Sequence, residues 1–150
     1  KRLGEKLLNK KVMRGYWIII LFLVGLAGCQ NPTVGYLQTE HAKYVPDTMI
    51  IRKKLDPVKD AYRIEYGAPW VSPKLQGLAG TAPIKYEIIE VTSAQGNVVL
   101  FRNLLKIRGA GRMELLTNAE IPEGRYVVSV GVSNEGYSEV VEKAFTFIVE

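Results

Sequence analysis

From Tyr36 onward the apolar and polar positions alternate mostly as strands do. Between Arg125 and Ser133, Tyr126, Val128, Val130 and Val132 fall on one face, and Ser129, Gly131 and Ser133 on the other. A period of two is what a half-buried strand requires. Asn134-Glu135-Gly136 then reads as a turn into a closing strand, Val140 to Val149, with Phe145, Phe147 and Val149 on one face. So short a connection predicts an antiparallel hairpin. Thr48 to Arg52 and Met113 to Thr117 read as short strands, and Gly96-Asn97 turns the chain into another strand candidate, Val98 to Phe101. Ile84 to Ile88 alternates, but Ile89-Glu90-Val91 continues in the opposite phase. Such a flip predicts a bulge or a crossing between sheets.

One segment breaks the strand pattern. Asp56 can cap a helix, Pro57 fits its first position and Gly67 its end, so residues 57–66 predict a short helix. Tyr62 and Tyr66 would lie one turn apart on it. Phe101 to Ile107 is a second, weaker helical candidate. About seven short strands separated by turns predict an all-β chain, an immunoglobulin-like β-sandwich over residues 36–150. Gly124-Arg125-Tyr126 resembles the tyrosine corner of such domains, in which a phenol bonds to upstream backbone. Gly80-Thr81-Ala82-Pro83-Ile84-Lys85-Tyr86-Glu87-Ile88 is similar to a stretch of bacterial cadherin-like and immunoglobulin-like repeats. The stretch occurs once, which implies one module and not an array.

Charge changes the picture at the front of the chain. The formal net charge is +5, but six of the 20 Lys and Arg residues, and only one of the 15 Asp and Glu, precede Cys29. The remainder is neutral, so the long-range field that drives phosphate binding is missing and nucleic acid is not an expected partner. The basic stretch ends at Arg14, the apolar run Tyr16 to Val24 follows, and Gly25, Ala27 and Gly28 lead to the single cysteine. This is the order of a secretory signal, with Met13 a candidate start. Leu26-Ala27-Gly28-Cys29 resembles the lipobox of bacterial lipoproteins. That resemblance implies a signal peptide over 1–28, diacylglycerol on the Cys29 sulfur, and a membrane partner held through acyl chains. Each buried methylene contributes ~0.8 kcal/mol, and two or more chains anchor stably. Residues 29–35 read as a tether. The resemblance extends to outer-membrane lipoproteins of Gram-negative gut anaerobes, facing either the periplasm or the outside.

Catalytic patterns are missing. His41 is the one histidine and has no serine or cysteine partner in a hydrolase pattern. Gly-x-Ser-x-Gly and phosphate-loop strings do not occur. A single histidine, a cysteine committed to lipid and scattered aspartates provide no zinc or calcium set. The sequence therefore predicts no enzyme, no metal and no cofactor.

Two clusters remain as binding candidates. Tyr62, Tyr66 and Trp70 surround Gly67-Ala68-Pro69 and could offer aromatic faces to sugar rings, or simply pack over one end of the sandwich. Arg102, Lys106, Arg108 and Arg112 could meet an anionic group, or form a solvated face. Arg52-Lys53-Lys54 is read as a guard on an edge strand. By its resemblance the chain is a lipid-anchored binding module, with a polysaccharide the expected ligand. The alternative is a structural spacer or docking subunit that meets an envelope protein. A shared exposed aromatic face favours sugar, and burial favours the spacer.

Overall fold

The computed structural model describes residues 35–150 and the isolated positions Gly4, Asn9, Lys10 and Met13. Apart from those four positions, the expected signal segment 1–28, with Cys29 and nearly all of the expected 29–35 tether, lies outside the described residues. The elements run β1 (Leu37–Gln38), β2 (Thr48–Ile51), α1 (Ala61–Tyr66), β3 (Trp70–Val71), β4 (Ala79–Gly80), β5 (Lys85–Thr92), α2 (Val98–Leu104), β6 (Lys106–Ile107), β7 (Met113–Leu115), β8 (Gly124–Asn134) and β9 (Tyr137–Val149). The chain is mostly β, with its sheets in a sandwich-like arrangement. A four-stranded sheet has the order β2-β9-β8-β5, a three-stranded sheet the order β3-β7-β6, and β1 pairs with β4. Strand β2 runs parallel to β9, and all other pairs are antiparallel.

The predicted hairpin is β8–β9, joined through Glu135 and Gly136 with Asn134 opposite Tyr137. Gly136 adopts a φ of 96°, which glycine reaches without a steric penalty. Tyr126, Val128, Val130 and Val132 are fully buried, as the alternation requires, and so are Phe145 and Phe147. The polar face departs from expectation, because Ser129 and Gly131 are buried too. At Gly131 the reason is local. A Cβ there would meet the Ile89 Cδ1 at 2.7 Å, so the β5 side chains lie over the bare backbone.

The phase flip in β5 is a bulge, since the register with β8 shifts between Ile88 and Glu90. A second irregularity faces it across β8. Val128 pairs with Phe145 and Val130 with Val141, so Glu142, Lys143 and Ala144 stand opposite Ser129 alone. Lys143 sits at a φ of 47°, and its N–H donates to the Ser129 Oγ at 3.0 Å.

Two expectations are corrected around residue 100. Val98 to Phe101 is not a strand, and the weak helix does not begin at Phe101. Helix α2 spans Val98–Leu104, because the Asn97 side chain accepts the Leu100 N–H at 3.0 Å and caps the first turn. Lys106 and Ile107 already belong to β6. The helix delivers Phe101 into the core, where its ring stacks on Tyr126 with centroids 4.1 Å apart and planes 8° apart. Phe147 lies 5.4 Å from Phe101 and 4.8 Å from Phe145. The Tyr126 hydroxyl donates to the Pro122 carbonyl at 2.8 Å, which is the contact expected of a tyrosine corner. Gly96 passes directly against that phenol ring, leaving no space for a Cβ.

Candidate functional site

The chain leaves the edge strand β2, makes an excursion through α1 and returns at β3. The excursion begins with Asp56, whose side chain accepts the N–H groups of Val58 and Lys59 at 2.8 Å. Those bonds hold the Asp56 carboxyl below its ordinary pKa. Turns over 57–60 lead into α1, which is shorter than the predicted 57–66 helix. It ends as predicted at Gly67, which has a φ of 60° and an N–H that donates to the Arg63 carbonyl at 2.9 Å.

The inward side of this excursion is charged. Asp60 has no exposed surface. Its carboxylate accepts two bonds of 2.7 Å from Arg52, one of 2.9 Å from the Asp56 N–H and one of 3.4 Å from Arg63. The Arg52 bonds are the largest cause of an Asp60 pKa of about 2 against an ordinary 3.8, and burial opposes them. The Arg63 guanidinium lies 3.7 Å from the Trp70 ring centroid, and that of Arg52 lies 5.5 Å from it. Carboxylate, two guanidinium groups and indole thus form one layered cluster beneath α1. Cation–π contacts of this kind contribute ~0.5–2 kcal/mol each.

The outward side is apolar. Tyr62 is 68% exposed and Tyr66 64% exposed, with ring centroids 4.8 Å apart and planes tilted by 45°. Val58, four residues before Tyr62, is 87% exposed, and Ile64 is exposed as well. The Glu65 carboxylate beside the Tyr66 phenol holds its pKa above the usual tyrosine range. An ordinary surface helix buries its apolar face and solvates its charges. In α1 no residue is buried, and the least exposed side chain is the charged Arg63.

The three aromatic candidates therefore divide. Tyr62 and Tyr66 come together on the surface, but Trp70 is 3% exposed and belongs to the core. It does not share their face, because β3 pairs with β7 at Leu115 and turns the indole inward under Arg63. The basic candidates also separate. Arg108 pairs with Glu114 at 2.8 Å, and Arg102 donates to the Ile88 and Ile89 carbonyls of the β5 bulge at 3.0 Å. Arg102 thus covers the outer edge of the four-stranded sheet. Strand β2 is the other edge, as the Arg52-Lys53-Lys54 reading requires, but Arg52 turns to Asp60 and Lys53 lies 3.6 Å from Glu123. His41 is exposed. Among the described residues no three His, Cys, Asp or Glu side chains gather as a metal set.

Two clefts adjoin the excursion. The larger, about 550 Å³, lies between Ile51-Arg52-Lys53 and the loop from Leu116 to Pro122. The second, about 520 Å³, is lined by Leu55, Gly67, Leu116, Thr117 and Asn118. Leu116, Thr117 and Asn118 line both. The Thr117 hydroxyl donates to the Ala68 carbonyl and ties this loop to the segment after α1. Sequence reasoning missed the Asp60 cluster and the clefts. The i, i+3 pair of Asp60 and Arg63 was the one local signal of the former.

No protein-family model matches the chain, and no curated protein matches it. A solved structure similar to it is a SusE-like, surface-located polysaccharide-binding protein from the heparin utilisation locus of Bacteroides thetaiotaomicron. The identity is 16%, the TM-score 0.49, and the match covers 77% of this chain and 15% of that one.

Proposed function

We propose that this chain is a lipid-anchored, non-catalytic binding module of the cell envelope, with an immunoglobulin-like body over residues 36–150 that takes a glycan on Tyr62 and Tyr66. The observation that carries the reading is the exposed, paired rings of Tyr62 and Tyr66 on a helix that buries none of its residues. Burying Asp60 under a half-buried Arg63 while exposing two tyrosines does nothing for folding that an ordinary amphipathic helix would not do better. The Asp60 cluster fixes the helix backbone, so the paired phenol rings are held in place before any ligand arrives. Planar aromatic faces with hydroxyl handles suit sugar rings, which carry apolar C–H faces and polar edges.

The anchor rests on Leu26-Ala27-Gly28-Cys29 after a basic and an apolar stretch. Acyl chains on Cys29 would confine the module to the outer membrane, where weak contacts gain from a high effective concentration. Mass spectrometry of protein from native cells tests this directly. A mature chain beginning at acylated Cys29 supports it, and an unmodified thiol with residues 1–28 retained contradicts it. A glycan array probed with the wild type and with Tyr62→Ala tests the ligand. Binding that disappears in the variant supports the tyrosine site.

Exposed Val58 and Ile64 beside the tyrosines favour a second reading, a docking face for another envelope protein. That reading expects array silence together with co-purification of a stoichiometric partner that Tyr62→Ala releases.

A further inference from the structure

Resting on the glycan reading, we infer that the ligand is an uncharged oligosaccharide chain held along its length, running from Tyr62 and Tyr66 across Gly67 into the paired clefts around Leu116–Asn118. Gly67 follows Tyr66 directly and lines the smaller cleft, so that cleft opens at the foot of the tyrosine helix. The larger cleft shares three lining residues with it and continues to Lys53 and Pro122. Each has the volume of a small-molecule site, which is typically ~300–1,000 Å³. A single ring on the tyrosines would leave both clefts to solvent.

The chemistry along this track suits hydroxyl groups. Exposed Leu116 offers an apolar surface for C–H faces. Asn118 is exposed, and its side-chain amide makes no hydrogen bond to any described residue, so both donor and acceptor are free for vicinal hydroxyls. The Thr117 bond to Ala68 holds the shared rim in position. The charges along the track are balanced. Arg52 is engaged by Asp60 and Lys53 by Glu123, Glu120 lines the larger cleft, and Lys59 and Glu65 stand with opposite signs to either side of Tyr62 in sequence. No excess of cations awaits an acidic polymer.

The test is isothermal titration of the full chain in detergent with malto-, xylo- and cello-oligosaccharides from di- to hexasaccharide, and with a heparin-derived hexasaccharide as the acidic probe. Affinity in one neutral series should rise at least about ten-fold from disaccharide to hexasaccharide. Asn118→Ala and Leu116→Ser should abolish that gain and leave disaccharide affinity unchanged, with thermal melts matching the wild type. A flat length dependence with binding still lost in Tyr62→Ala overturns this inference and spares the tyrosine site. So does tighter binding of the acidic hexasaccharide. Binding lost in Asn118→Ala but kept in Tyr62→Ala overturns the tyrosine site instead. Silence in every series overturns both.

Discussion

The carboxylate of Asp60 meets the guanidinium of Arg52 through two hydrogen bonds of 2.7 Å, with no part of Asp60 open to solvent. Removing Asp60 leaves a partly exposed Arg52 without its partner, and hydrogen bonds to charged groups contribute ~1.5–3 kcal/mol. Asp60→Ala should therefore lower stability by about that amount in urea unfolding. Tyr62→Ala and Tyr66→Ala should stay within ~0.5 kcal/mol of wild type, because neither ring supports the core. Equal destabilisation by all three would show the tyrosines to be structural.

The same carboxylate sets an acid limit. Its folded pKa of about 2 lies below the ordinary 3.8, so its contribution is complete above the higher value and is lost as the pH falls toward the lower. The shift of Asp56 has the same sign and adds to the effect. Thermal unfolding of the wild type between about pH 5 and pH 2 should show a steep fall of Tm over this window. Asp60→Asn should flatten that fall from a lower plateau. An unchanged slope in the variant would place the acid sensitivity elsewhere.

Gly96 and Tyr126 provide a test of the core. A methyl group at residue 96 has no room against the phenol that is bonded to Pro122 and stacked on Phe101. Gly96→Ala should cost ~1–3 kcal/mol through overpacking. Tyr126→Phe keeps the stacking and loses one hydrogen bond, at ~1 kcal/mol. Calorimetry of the two variants checks the order. A neutral Gly96→Ala would show that the turn relaxes.

Much of the framework was legible in the sequence because β8 and β9 are long enough for a period of two to repeat, and because Gly124-Arg125-Tyr126 carries a local rule. The β5 bulge was visible for the same reason, as a change of phase at Ile89. Strands β1, β3, β4 and β6 have two residues each, too few to show any period. Val98 and Val99 suggested a strand by propensity, and the Asn97 cap with burial of Phe101 overrode them. The site was half legible. The spacing of Tyr62 and Tyr66 placed them together, but nothing local distinguishes an exposed tyrosine from the buried Trp70. The pairing of Arg52 with Asp60, eight residues apart and outside any helix or strand they share, has no sequence period at all. Because Trp70 packs in the core, Trp70→Ala would report on folding before it reported on binding.

Carbohydrate held by the exposed pair Tyr62 and Tyr66 requires both rings. The most direct measurement compares wild type, Tyr62→Ala and Tyr66→Ala for retention on polysaccharide affinity gels at matched thermal stability. At least one polysaccharide should retard the wild type, and each substitution should remove most of the retardation. Retardation of all three proteins alike, or of none, would contradict it.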